Sequence, residues 1–311
     1  MKIAPPFLRL LLLLALAVSP LLAAVEVTRT ENVVYQRKLG VALTMDVFQP
    51  KTGGNGCGVI AVVSGGWKSS HEGINAKSYA VFLDRGYTVF AVVHGSQPKF
   101  TIGEIAADLH RAVRFIRFNA ARWGVNPQKL GITGGSAGGH LSLTIATQGG
   151  PGAANAKDPI DRASSAVQAV ACFYPPTDFL NYGKPGEDAV GVGILKDYRA
   201  AFGPESDTPE GRQALGPKLS PTRFITAQMP PALLIHGDAD TLVPIQQSEL
   251  FVQKATAAGA TAKLVIRPGA GHSSRDWPDM ADYRLRLADW FDTHLRQITP
   301  SVQPAAPLRN K

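Results

Sequence analysis

Gly131-Ile132-Thr133-Gly134-Gly135-Ser136-Ala137-Gly138-Gly139-His140 is the stretch on which the reading of this chain turns. A β-type apolar run over 129–133 leads into it. A helical pattern over 137–147, closed by Gly149-Gly150, leads out. A strand that passes straight into a helix through Gly-x-Ser-x-Gly spacing forces the serine into a strained backbone conformation, which only small neighbours allow. Ser136 is thereby expected at the carboxyl end of a strand. There it meets a helix N-terminus, whose free N–H groups and dipole favour negative charge. The spacing alone is a weak signal, and the strand–turn–helix setting gives it weight.

On either side, short β-branched runs alternate with longer helical patterns. Buried-type strands are expected over 59–63, 88–93, 167–173, 232–235 and 263–266, with an edge hairpin over 33–35 and 43–48 turning at Gly40. Helices are expected over 74–84, 102–123, 244–258 and 278–294. Alternation of this kind predicts an α/β fold: one domain over 25–298, with a mostly parallel sheet and helices on both faces. Residues 150–230 are rich in proline and break the rhythm. They read as a cap-like insertion over the strand ends, with one or two short helices, one of them around 198–202, shaping a pocket. The tail 299–311 is expected to be disordered.

A serine hydroxyl needs an adjacent base to act as a nucleophile. Two later segments offer one, in the order Ser, acid, His. Leu233-Leu234-Ile235-His236-Gly237-Asp238-Ala239-Asp240 is a buried strand running into a turn, which carries Asp240 past the strand's carboxyl end. Arg267-Pro268-Gly269-Ala270-Gly271-His272 follows the last strand and places His272 on a loop at the same edge. Ligand sites of open α/β sheets lie at that edge. Asp238 is the rival acid and His236 the rival base; Asp240 could also be a helix cap. Donors for an oxyanion are expected from the N–H of Ala137 and from Ser64-Gly65-Gly66-Trp67, where Gly65 and Gly66 let main-chain N–H groups turn inward. Trp67 is expected to face the substrate.

Composition narrows the function classes. The chain has 311 residues, 45% hydrophobic and 18% charged, with a formal net charge of +8. Its basic residues are dispersed, with no block interleaved with aromatics, so nucleic acid is not an expected partner. Lys2 and Arg9, the apolar run 10–18 and the small residues Ala23-Ala24 read as a signal peptide over 1–24, too short for a membrane span and broken by Pro20. Export to the periplasm or cell exterior, without stable membrane insertion, follows from that reading. Cys57 and Cys172 show no metal spacing, and Cys172 reads as a small core residue. No cofactor or metal site is visible, there being no Gly-x-Gly-x-x-Gly after the first strand and no His/Cys cluster.

Taken together, Ser64–Trp67, Gly134–His140, Phe173-Tyr174-Pro175-Pro176-Thr177-Asp178, His236–Asp240 and Pro268–His272 resemble the α/β-hydrolase superfamily. More narrowly, they resemble its carboxylesterase branch related to hormone-sensitive lipase and bacterial acetyl-xylan and feruloyl esterases. The resemblance runs in family order over about 30–295. It departs at the oxyanion loop, where the branch usually has His-Gly-Gly and Val63 stands at the histidine position. What the resemblance implies is a serine esterase acting through an acyl-enzyme on Ser136, with a polysaccharide or small acyl ester as substrate. The alternatives are a serine peptidase of the prolyl-oligopeptidase type and an inert hydrolase-fold binding module. Oligomeric state is not legible.

Overall fold

The computed structural model describes residues 25–273 and 277–298. The expected leader over 1–24 and tail over 299–311 lie outside them. Eight strands form one sheet: β1 (Val27–Lys38), β2 (Val41–Pro50), β3 (Gly58–Val63), β4 (Thr88–Val93), β5 (Leu130–Gly135), β6 (Ala169–Phe173), β7 (Ala232–Gly237) and β8 (Ala262–Arg267). Their order is β1-β2-β4-β3-β5-β6-β7-β8, and only the pairings of β2 are antiparallel. The expected edge hairpin is present, turning at Leu39-Gly40.

The inner strands carry long apolar runs because both of their faces are covered. Along β3, Ile60 and Val62 join one core; Val59, Ala61 and Val63 join the other, as the two-residue period of a strand requires. Helices α1 (Ala80–Leu83), α2 (Ile102–Phe118), α3 (Ala137–Gln148), α4 (Arg199–Phe202), α5 (Pro209–Leu219), α6 (Gln246–Ala257) and α7 (Met280–Phe291) complete the layers. Helix α2 begins at a reciprocal cap between Thr101 and Glu104, and turns Ile105, Leu109, Val113 and Ile116 inward at helical spacing. Helix α7 packs on the other face, beside α1 and β6.

Two expectations are corrected. The helix anticipated over 74–84 is a 3₁₀ turn (Ala76–Tyr79) followed by the single turn of α1, because polar Asn75, Lys77 and Ser78 interrupt its apolar stripe. The segment 150–230 is not one insertion: β6, a fully buried strand of the sheet, runs through it. Only the chain from 174 onward lies over the strand ends, where Phe179 and Phe202 close on Trp67. Helix α5 is a second short helix of this segment, at a place the sequence leaves open because Pro209 and Pro217 mask it; Pro209 sits in the first turn, where its missing N–H costs nothing. Cys57 and Cys172 are both buried and free.

Candidate active site

The turn from β5 to α3 is built on close backbone approach. A Cβ on Gly134 would lie 2.5 Å from the Gly138 carbonyl, and one on Gly138 would lie 2.9 Å from the Val62 carbonyl. Ser136 stands between them at φ 55°, ψ −123°, a conformation costly for a residue with a side chain. It is held there by its own N–H, which donates to the Phe173 carbonyl at 3.0 Å, and by its carbonyl, which accepts from His140 N–H at 2.9 Å. Trp67 (φ 57°) and Tyr174 (φ 35°) share this left-handed backbone. Three such residues thus gather at one sheet edge, where strain is a mark of function.

Ser136 Oγ lies 2.8 Å from His272 Nε2, and His272 Nδ1 lies 2.7 Å from Asp240 Oδ2. Serine, histidine and carboxylate, which arrive on the ends of β5, β8 and β7, are brought into one line of hydrogen bonds. Burial opposes a charge on Asp240. Hydrogen bonds from His236, His272 and the Val243 N–H outweigh it, and hold the carboxyl well below the usual carboxylate range. Asp240 Oδ1 also accepts from the N–H groups of Leu242 and Val243 at 3.0 and 2.9 Å, so it serves as a turn cap as well.

The two rivals take other places. Asp238 is exposed and accepts from Gly269 N–H at 2.6 Å, tying the acid's loop to the histidine's loop. His236 is fully buried between Ser248 Oγ and the Val243 carbonyl, with Nε2 3.2 Å from Asp240 Oδ2. It approaches the same carboxylate oxygen that His272 meets, Asp240 Oδ2, and so helps to hold it.

The loop after β3 divides the residues expected as oxyanion donors. The Gly65 N–H already donates to the Lys68 carbonyl at 3.0 Å, which removes it from that role. Gly66, at φ 55°, is fixed through its carbonyl by Gln97 Nε2 at 3.0 Å. Gly66 and Ala137 are left as the candidate pair. Trp67 does not face the substrate side: it is 2% exposed, packed among Phe179, Tyr198 and Phe202, and its Nε1–H donates to His140 Nδ1. An indole at the start of a left-handed turn is turned down into the core by that turn.

Sequence reasoning missed Tyr174, Gln97 and Trp277. The Tyr174 ring centroid lies 4.7 Å from that of His272, and Trp277 Nε1–H donates to the Gly271 carbonyl at 3.3 Å, steadying the loop that carries the histidine. Position directly after β6 was the available signal for Tyr174. A cavity of about 640 Å³ opens beside the Ser136 turn, bounded by Gly135, Ser64, Gly65 and Tyr174 and running down to α7.

Comparison with known proteins gives the same outline. The BD-FAE family model matches residues 45–255. Esterase LipQ of Mycobacterium tuberculosis is 28% identical over 227 residues, covering 69% of this chain and 49% of that protein. The isoprenylcysteine alpha-carbonyl methylesterase ICME of Arabidopsis thaliana is 22% identical over 238 residues, covering 74% of this chain and 53% of that protein. The chain thus spans about half the length of the curated relatives it matches. Among solved structures, a truncated carbohydrate esterase from gut microbiota superposes with a TM-score of 0.71 at 24% identity, covering 85% of this chain and 97% of that one. Esterase 2 of Thermogutta terrifontis, phosphonylated by sarin, gives 0.68 at 25% identity, covering 89% and 97%.

Proposed function

Since the chain belongs to the BD-FAE family, we propose that it is a serine hydrolase of carboxylic esters, with Ser136 as nucleophile, His272 as general base and Asp240 as orienting acid. The observation that carries this reading is the unbroken line Ser136 Oγ–His272 Nε2–His272 Nδ1–Asp240 Oδ2, at 2.8 and 2.7 Å. His272 Nε2 takes the hydroxyl proton as Ser136 Oγ attacks the ester carbonyl. The oxyanion is received by the N–H groups of Gly66 and Ala137, a cradle in which one donor is worth about 10²–10³ in rate. The imidazolium, stabilised by the Asp240 charge, then protonates the departing alcohol. Water, deprotonated by the same nitrogen, releases the acid from the acyl-enzyme and restores Ser136.

Acyl esters of carbohydrate are the proposed natural substrates. The gut-microbiota carbohydrate esterase and an acetyl ester-xyloside bifunctional hydrolase from Caldicellulosiruptor lactoaceticus, both of the same fold, support that choice. Residues 1–24 support export, and N-terminal sequencing of the secreted protein checks it.

The test of the reaction is turnover of p-nitrophenyl esters of graded acyl length by the protein and by Ser136→Ala. Turnover lost in the variant is the expected result; equal release by both, or none by either, overturns the assignment. Acetate release from acetylated xylan, compared with the same variant, tests the substrate.

A further inference from the structure

Helix α7 presents Met280, Arg284 and Leu287 to the cavity beside Ser136, at spacings that put all three on one helix face. Met280 and Leu287 are buried, as an inward stripe should be. Arg284 is the exception: a half-buried guanidinium on an apolar face, with no ion pair or hydrogen bond among the described residues. Arg85, Arg111, Arg212 and Arg267, by contrast, each hold a carboxylate. Asp279, five residues before Arg284 at the N-cap of α7, is itself taken by Arg267.

Lys68, itself exposed, lines the same cavity, and no carboxylate of the described residues does. Ser64, also in the wall, offers a buried hydroxyl with no partner in the described residues. A partly buried cation without a counter-ion is unfavourable unless water or a ligand supplies the charge. The cavity adjoins the chemistry without being walled by Ser136 or His272 themselves. Its wall includes Gly135, the residue before the nucleophile; Gly65, the residue before the candidate donor Gly66; and Tyr174, which lies against His272.

We infer that this cavity selects esters bearing an anionic group, a carboxylate or its like, which Arg284 receives while Ser136 attacks the ester carbon. The inference rests on the ester-hydrolysis reading and adds the charge of the substrate to it. Arg284 is then a specificity residue: its fork geometry suits a carboxylate, and its half-exposed position makes the attraction sensitive to salt.

Two matched pairs of probes test it, since the charge can lie on either side of the scissile bond: para-acetoxybenzoate against its methyl ester, and p-nitrophenyl hemiglutarate against p-nitrophenyl valerate. In one pair, the expected kcat/KM favours the charged member by about tenfold at low salt, a preference that shrinks as salt rises. Arg284→Gln brings that ratio near one, and Arg284→Lys keeps part of it. Hydrolysis of the neutral members with no preference for either charged one, or a preference that survives Arg284→Gln, overturns the inference and leaves ester hydrolysis standing. No turnover of any probe fells both.

Discussion

The indole N–H of Trp67 donates to Nδ1 of His140 across 3.2 Å, and so fastens the loop after β3 to the helix that begins at Ser136. The other ring nitrogen, Nε2–H, donates to the Leu219 carbonyl at 2.8 Å, at the end of α5. Complete burial drives the imidazole down to about 4, partly countered by that bond, so the ring is neutral at working pH and can accept from Trp67. Three segments far apart in sequence are thereby set relative to one another around Ser136.

Trp67→Phe keeps most of the packing against Phe179 and Phe202 but removes the donor. A buried nitrogen left unpaired costs about 1–3 kcal/mol, and the loop bearing Gly66 is loosened. A fall of about tenfold in kcat, with KM little changed, is expected on p-nitrophenyl acetate. A kcat equal to that of the unaltered protein would show that the loop needs no such tie.

Gly65 and Gly66 should respond oppositely to a methyl group. A Cβ at Gly65 meets nothing within 4 Å, whereas one at Gly66 lies 2.5 Å from the Tyr198 ring, on a backbone at φ 55°. Gly66→Ala is expected to lose about 1–3 kcal/mol of stability and most of the activity. Gly65→Ala should lose little of either. Thermal melts and ester assays on the pair decide it, and equal effects would refute the assignment of Gly66 as donor.

The strain at Ser136 has a measurable counterpart. Ser136→Gly and Ser136→Ala both lack the hydroxyl, so any difference between them reports the backbone at φ 55°. Glycine should melt higher than alanine, by about 1 kcal/mol in stability. The reverse order would mean that the turn is relaxed.

Acid should weaken the fold through buried histidines. His94 and His140 are both held near 4, by burial first and against a hydrogen bond to a carbonyl. Unfolded histidine takes its proton near pH ~6.5. The unfolded state therefore binds more protons between those values, and stability is lost as pH falls through that window. The drop in Tm from about pH 7 to about pH 4.5 should be smaller in His94→Gln than in the unaltered protein. An unchanged drop would exclude His94 as a contributor.

How far the sequence could be read depended on the kind of signal. Strand runs such as Thr88–Val93 were found to the residue, because burial on both faces leaves an uninterrupted apolar imprint. Ser136, Asp240 and His272 were legible because each follows a strand in a fixed chain order. Two things were not. The hydrogen bond from Gly65 to Lys68 depends on a local bridge that no residue type announces. The role of Tyr174 depends on a neighbour 98 positions away, His272, which only the pairing of β6, β7 and β8 brings close. Trp67 misled because an aromatic residue beside paired glycines looks like a surface group, while the left-handed turn sends it inward.

His272, the proposed base, stands on the loop after β8, a strand with a neighbour on one side only, and Ser136 stands at the centre of the sheet. Margins of a fold open at lower cost than its middle. Gentle warming can then peel β8 away, separating His272 from Ser136 while the interior stays packed. If the proposed ester hydrolysis is lost through fraying at that one border, it should vanish before any spectroscopic probe of the interior registers a change.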